Sequence, residues 1–150
     1  MIAAFACAIL LGAALLFAVQ PMAAKGVLPL LGGSPAVWNT AMLFFQTALL
    51  AGYAYAHALS RLRLRTQVLV HPAVLLAAVG VVFLARNIMT QPEPDTWLGA
   101  RPVAWLLAWL CLTVGPTFFG LASAGPLLQG WFSRTNHRAA KDPYFLYAAS

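Results

Sequence analysis

Acid is what this 150-residue chain has least of. It holds three acidic side chains, Glu93, Asp95 and Asp142, against nine lysines and arginines. Glu93 and Asp95 share a proline-rich stretch, and Asp142 stands before Pro143 as a helix cap would. A paired-carboxylate mechanism therefore has almost no material. Cysteine is scarce as well. Cys7 and Cys111 both fall inside apolar runs, which argues against a disulfide framework and offers no metal-ligand spacing. Charge of either sign makes up only 8% of the residues. The phosphate-loop, GxGxxG, HExxH and GxSxG signatures are missing. No catalytic residue, no metal and no cofactor is expected.

What the chain does have is apolar length. It is 62% hydrophobic, with a mean hydropathy of +0.81. A domain this small has too little interior to hide so much apolar surface, so lipid must be the solvent for much of it. The net charge of +6 sits beside the apolar runs and reads as the basic bias of membrane loops, not as a nucleic-acid footprint. The run from Gln129 to Arg134, with Trp131 and Phe132 inside it, suits an interfacial anchor better than RNA.

Four apolar runs follow one another. Ile2 to Ala24 reads as a spanning helix, and a signal peptide is the alternative, with Met22 to Ala24 near a cleavage point. Ala4, Ala8 and Gly12 give it a small-residue face that suits close approach of another helix. Lys25 to Ser34 is rich in Gly and Pro and reads as a turn. The second helix runs from Pro35 to about Leu59, with Ser34 as cap, and Arg61, Arg63 and Arg65 follow as a basic loop. The third spans roughly 67–85, with Pro72 in its first turns. The fourth spans roughly 102–123 and should kink at Gly115-Pro116. Gly125-Pro126 either ends it or bends it on towards Trp131. Trp105 and Trp109, one turn apart, suit an interface or a helix contact. A fifth helix should start at 143–150. The expected fold is an all-α membrane protein of four transmembrane helices plus the start of a fifth, a fragment of a larger bundle.

The loop after the second helix and the segment after the fourth hold six of the nine basic residues, and the opposite side holds Lys25, Arg86 and Arg101. This bias places the N-terminus and both basic segments in the cytoplasm.

One polar pattern stands out. Asn39, Gln46 and Tyr53 are spaced by seven, and His57 follows four later. On a helix these four positions fall within roughly 40° of one another. They form a stripe on an otherwise apolar rod. The stripe lines a substrate or ion path, or it is interhelical hydrogen bonding that only holds the bundle together; the second reading is the more economical. Gln20 and Lys25, either side of Pro21, are a second candidate for the path, although a lysine there more often snorkels to the interface. His71 and His137 read as structural and solvated.

The stretch from Gln20 to Lys25, PLLGGSPAVWN at 29–39, Phe44-Phe45-Gln46 and Gly52 to His57 together resemble one family, as do Pro126 to Gln129, Trp131-Phe132 and Asp142 to Ser150. They are similar to the N-terminal membrane region of bacterial spermidine-synthase-like membrane proteins. The resemblance implies a major-facilitator-like bundle fused to an aminopropyltransferase-like soluble domain. It implies a bacterial inner-membrane location, and as partners the lipid bilayer, further C-terminal helices and that soluble domain. None of the soluble domain's motifs occurs here, so no catalytic residue carries over. The functional expectation is a transporter-like or membrane-anchoring domain. The alternative is part of an aminopropyltransferase of polyamine biosynthesis whose catalytic domain lies elsewhere.

Overall fold

A computed structural model describes residues 2–31, 33–88, 101–135, 137–141, 146 and 148. The described residues are helical, without strands. The helices are α1 (Ile2–Leu31), α2 (Pro35–Ser60), α3 (Leu64–Ile88), α4 (Pro102–Thr113) and α5 (Gly115–Ser133), followed by a 3-10 turn at Arg138–Lys141.

α1 runs seven residues past the expected stop. Gly26 and Pro29 do not end it, because Val27 is buried and Leu28 and Leu31 pack on the core formed with α2 and α4. Tertiary packing outweighs the weak local propensity. The end comes at Gly33, whose φ of +59° admits a left-handed cap, with its N–H donating to the Leu28 carbonyl at 3.0 Å. The turn thus shrinks to the two or three residues before Pro35.

α2 begins as the sequence indicates. Ser34 is extended, its hydroxyl accepts from the Val37 N–H at 3.4 Å, and Pro35 occupies the first turn. α3 starts three residues earlier than expected, so Arg65 lies in its first turn and the basic loop is 61–63. The fourth apolar run is two helices. Pro116 has no N–H for the ladder, Val114 forms the joint, and α4 and α5 meet at a bend of 57°. The hydroxyls of Thr113 and Thr117 donate to the Trp109 and Val114 carbonyls at 2.6 and 3.0 Å, so each threonine satisfies itself within its own turn. α5 then continues through Gly125-Pro126 to Ser133.

Four spans and the start of a fifth are therefore too many for what is described. α1 and α3 are long and apolar enough to cross a membrane, and the bent pair α4–α5 counts as a third if it is one span. α2 falls short because its polar stripe dilutes it. The expected start at 143–150 lies almost wholly outside the described residues; of that stretch, Leu146 is buried against Ile9, Phe132 and Ala140.

α5 occupies the centre, packed by α1, α2 and α3, with α4 across the far end. Its C-terminal end meets the N-terminal end of α1, where Phe5 and Phe132 stack edge to face at 5.4 Å. The opposite end is an apolar core that includes Val27, Val37, Phe45, Trp105, Leu106 and Phe118. Trp105 stacks on Trp109 and is 4% exposed, which makes it a helix contact. The tightest approach is at Gly52. A Cβ there would lie 2.8 Å from Ala122 Cβ and 3.1 Å from the Phe119 carbonyl oxygen. Only a glycine lets the two backbones come so near.

Gly52→Leu should therefore separate α2 from α5 and cost about 1–3 kcal/mol, as overpacking does. Gly26→Ala, inside α1 with open space around it, should be neutral to stabilising by up to about 1 kcal/mol. Unfolding of both variants in detergent, followed by circular dichroism, checks the contrast.

Candidate functional site

Two features gather polar groups inside the bundle. The first is a cleft of about 510 Å³ between α1, α2 and α5. Small residues recur on both sides, Ala8, Gly12 and Ala13 from α1 and Ala122, Ala124 and Gly125 from α5, among larger apolar ones such as Leu16 and Leu121. A Cβ on Gly12 or Gly125 would meet nothing within 4 Å. The small face of α1 does not bring a helix close, as its spacing suggested. It opens a space, which the aromatic contact at one end and the Val27 core at the other hold apart. Three polar side chains line the space, Gln20, Tyr53 and Gln129, one from each helix. Two prolines add to this. Pro21 and Pro126 lack the N–H that would reach the carbonyls of Phe17 and Ala122, and both of those residues lie on the cleft wall.

The second feature is a latch at the end of the bundle where α2 stops. The last carbonyls of a helix have no partner within it. Gln67 of α3 supplies one, its Nε2 donating to the Leu62 carbonyl at 2.7 Å and to the Ser60 carbonyl at 3.3 Å. Arg134, just beyond α5, donates to the same Ser60 carbonyl at 3.1 Å. Trp131 of α5 donates from Nε1 to Gln67 Oε1 at 2.9 Å. An indole N–H can only donate, so this bond fixes which way the amide faces. Gln67 is 1% exposed. His71, also buried, lies beside Trp131 and Tyr55, each with ring centres 6.2 Å away. Within this packing His71 Nδ1 and the Tyr55 hydroxyl have no hydrogen-bond partner, an exception to the usual rule for buried polar atoms.

The residues singled out from the sequence divide. Gln20 and Tyr53 share the cleft. Asn39, Gln46 and His57 point away from the core on the exposed side of α2, and Lys25 is exposed on α1 outside the cleft. Arg61 donates to His57 Nε2 at 3.1 Å, which makes that nitrogen an acceptor. His137 is not merely solvated: its Nδ1 accepts from the Ala139 N–H at 3.1 Å and caps the 3-10 turn. Gln67 carried no signal of its own in the sequence. Its role comes from α3 beginning early, and a glutamine near the first turn of a helix beside an arginine loop looks like any exposed polar residue. Among the described residues no three His, Cys, Asp or Glu side chains come together as a metal site would require.

Comparison with protein-family models, curated proteins and solved structures finds no match to this chain.

Gln67→Leu should leave the Leu62 carbonyl and the Trp131 N–H without their partner, while Arg134 still serves Ser60, and cost about 1–3 kcal/mol. His71→Phe keeps a ring between Tyr55 and Trp131 and removes a nitrogen that has no partner, so its cost should stay below about 1 kcal/mol. Denaturant titration of both in detergent checks the order.

Proposed function

We propose that the chain is a transporter-like membrane domain in which the cleft between α1, α2 and α5 is part of a path for a small molecule. The observation that carries this reading is the cleft itself. It joins three helices, small residues line it on two sides, and its polar groups are neutral hydrogen-bonding ones. Pockets for small molecules commonly combine apolar walls with a few such groups, and proline-interrupted helices line substrate sites in many transporters. Among the described residues the cleft holds no carboxylate. Its chemistry suits an uncharged or weakly polar molecule better than a polyamine cation. The chain sits in a bacterial inner membrane as a multi-pass domain with its N-terminus in the cytoplasm. Arg134 reaching Ser60 supports that orientation, because it puts the two basic segments at one end of the bundle, where the start of α1 also lies.

The second reading is a membrane anchor for a fused aminopropyltransferase-like domain, in keeping with the resemblance to spermidine-synthase-like proteins. The outward polar stripe favours it, since Asn39, Gln46 and His57 lie outside the cleft and serve helix association.

The two readings differ in whether water reaches the cleft. With Cys7 and Cys111 changed to Ser, Gly125→Cys should react with a small water-soluble methanethiosulfonate reagent at least about ten times faster than Leu76→Cys on the apolar outer face. Equal, slow labelling at both positions would mean a dry groove and favour the anchor. Gly125→Cys has open space, so the fold should tolerate it.

A further inference from the structure

The exposed side of α2 differs from those of its neighbours. The outer surfaces of α1 and α3 carry residues such as Leu10, Leu11, Leu69, Leu76 and Phe83 and suit lipid. On α2 the outward row reads Asn39, Leu43, Gln46, Leu50, Tyr53, His57, with alternating steps of four and three. That is the spacing of a seam between two helices wound gently around each other. Leu43 is 65% and Leu50 68% exposed, so the row is open along its length. Two of its polar members are also short of partners. Thr40 and Thr47, on the same side, satisfy their hydroxyls on the Ala36 and Leu43 carbonyls at 2.8 Å. The amides of Asn39 and Gln46 make no hydrogen bond among the described residues, and in lipid that is costly.

We infer that this row is the docking surface for another membrane-spanning helix, one that carries an amide or hydroxyl at every seventh residue and a carboxylate where it leaves the membrane beside Arg61. Charge chooses the occupant. The described side chains at that end include Arg61, Arg63, Arg65 and Arg134 and no acid. Two copies of this chain insert the same way, so pairing through α2 would be parallel and would crowd both sets of arginines at one exit. A helix of different sequence with an acidic end meets the row without that repulsion. Side-chain amides pair well with amides because each both donates and accepts. The surface touches the cleft only at Tyr53, so it stands whether or not the cleft is a path.

The test uses the chain in phosphatidylcholine vesicles with a fluorescent Leu/Ala spanning peptide. The peptide carries two Gln residues seven apart and a Glu at one end, and energy transfer to a label on the chain reads association. This peptide should half-saturate the chain at a peptide-to-lipid ratio about tenfold lower than an all-Leu/Ala peptide does. Changing both Asn39→Leu and Gln46→Leu should abolish the difference, and Thr47→Val should leave it intact. Equal association of the two peptides, or a preference that survives the double change, overturns the proposal. So does rapid disulfide dimerisation of Gln46→Cys in the Cys7→Ser, Cys111→Ser background, which would make a second copy the occupant. Replacing the peptide's Glu by Gln should weaken binding about threefold; unchanged binding overturns the choice of an acidic partner. Gln46→Leu removes no contact made within the bundle, so an unchanged unfolding midpoint separates lost docking from lost folding.

Discussion

At Gly52 the backbones of α2 and α5 come so close that the next atom outward would sit 2.8 Å from Ala122 Cβ. Much else depends on that approach. In lipid there is little hydrophobic force between helices, because acyl chains are as apolar as leucine. Contact area is gained only where side chains are small enough for backbones to meet. α5 meets this condition on several sides at once, with Gly120 beside Leu75 of α3 and Ala122 and Ser123 against α2. Ser123 is fully buried and turns its hydroxyl onto the Gly120 carbonyl at 2.8 Å, so it needs nothing from its neighbours. A polar residue that satisfies itself can sit at a tight interface as an alanine would.

The same requirement explains the ends. α2 ends in an exposed turn, and its last carbonyls have no partner within the helix. α3 and α5 supply Gln67 and Arg134, and Trp131 holds Gln67 in place. Backbone satisfaction thus joins three helices that the chain order alone leaves separate.

Local chemistry was readable from the sequence where a single residue type decides the outcome. Ser34-Pro35 starts a helix, and Gly115-Pro116 breaks one, because a cap hydroxyl and a missing N–H act within one turn. The length of α1 was not readable. Gly26 and Pro29 signal a stop, and only the burial of Val27 against another helix overrides it. The candidate site was half legible. Gln20 and Tyr53 were found because polar residues in apolar helices are conspicuous. The cleft they share was not, since small residues at a spacing of four look the same whether a helix fills the space or leaves it. The stripe on α2 was seen as a pattern, but a helical wheel gives relative angles, not the side on which the core lies. Gln67 gave no warning, because its partners are carbonyls, which every residue has.

The bonds that tie the bundle are unevenly shared. Side-chain hydrogen bonds join α3 and α5 to the end of α2. Among the described residues none joins α1 to another helix, and α1 carries two prolines in its own ladder. α1 is held by side-chain packing at its two ends, with the cleft between them. Packing contacts slide and tilt at little cost, whereas a directed bond between buried groups either holds or breaks. The molecule therefore has a stiff frame and one compliant wall. A rocking of α1 by a few degrees would widen or narrow the cleft and leave every interhelical hydrogen bond of the frame intact.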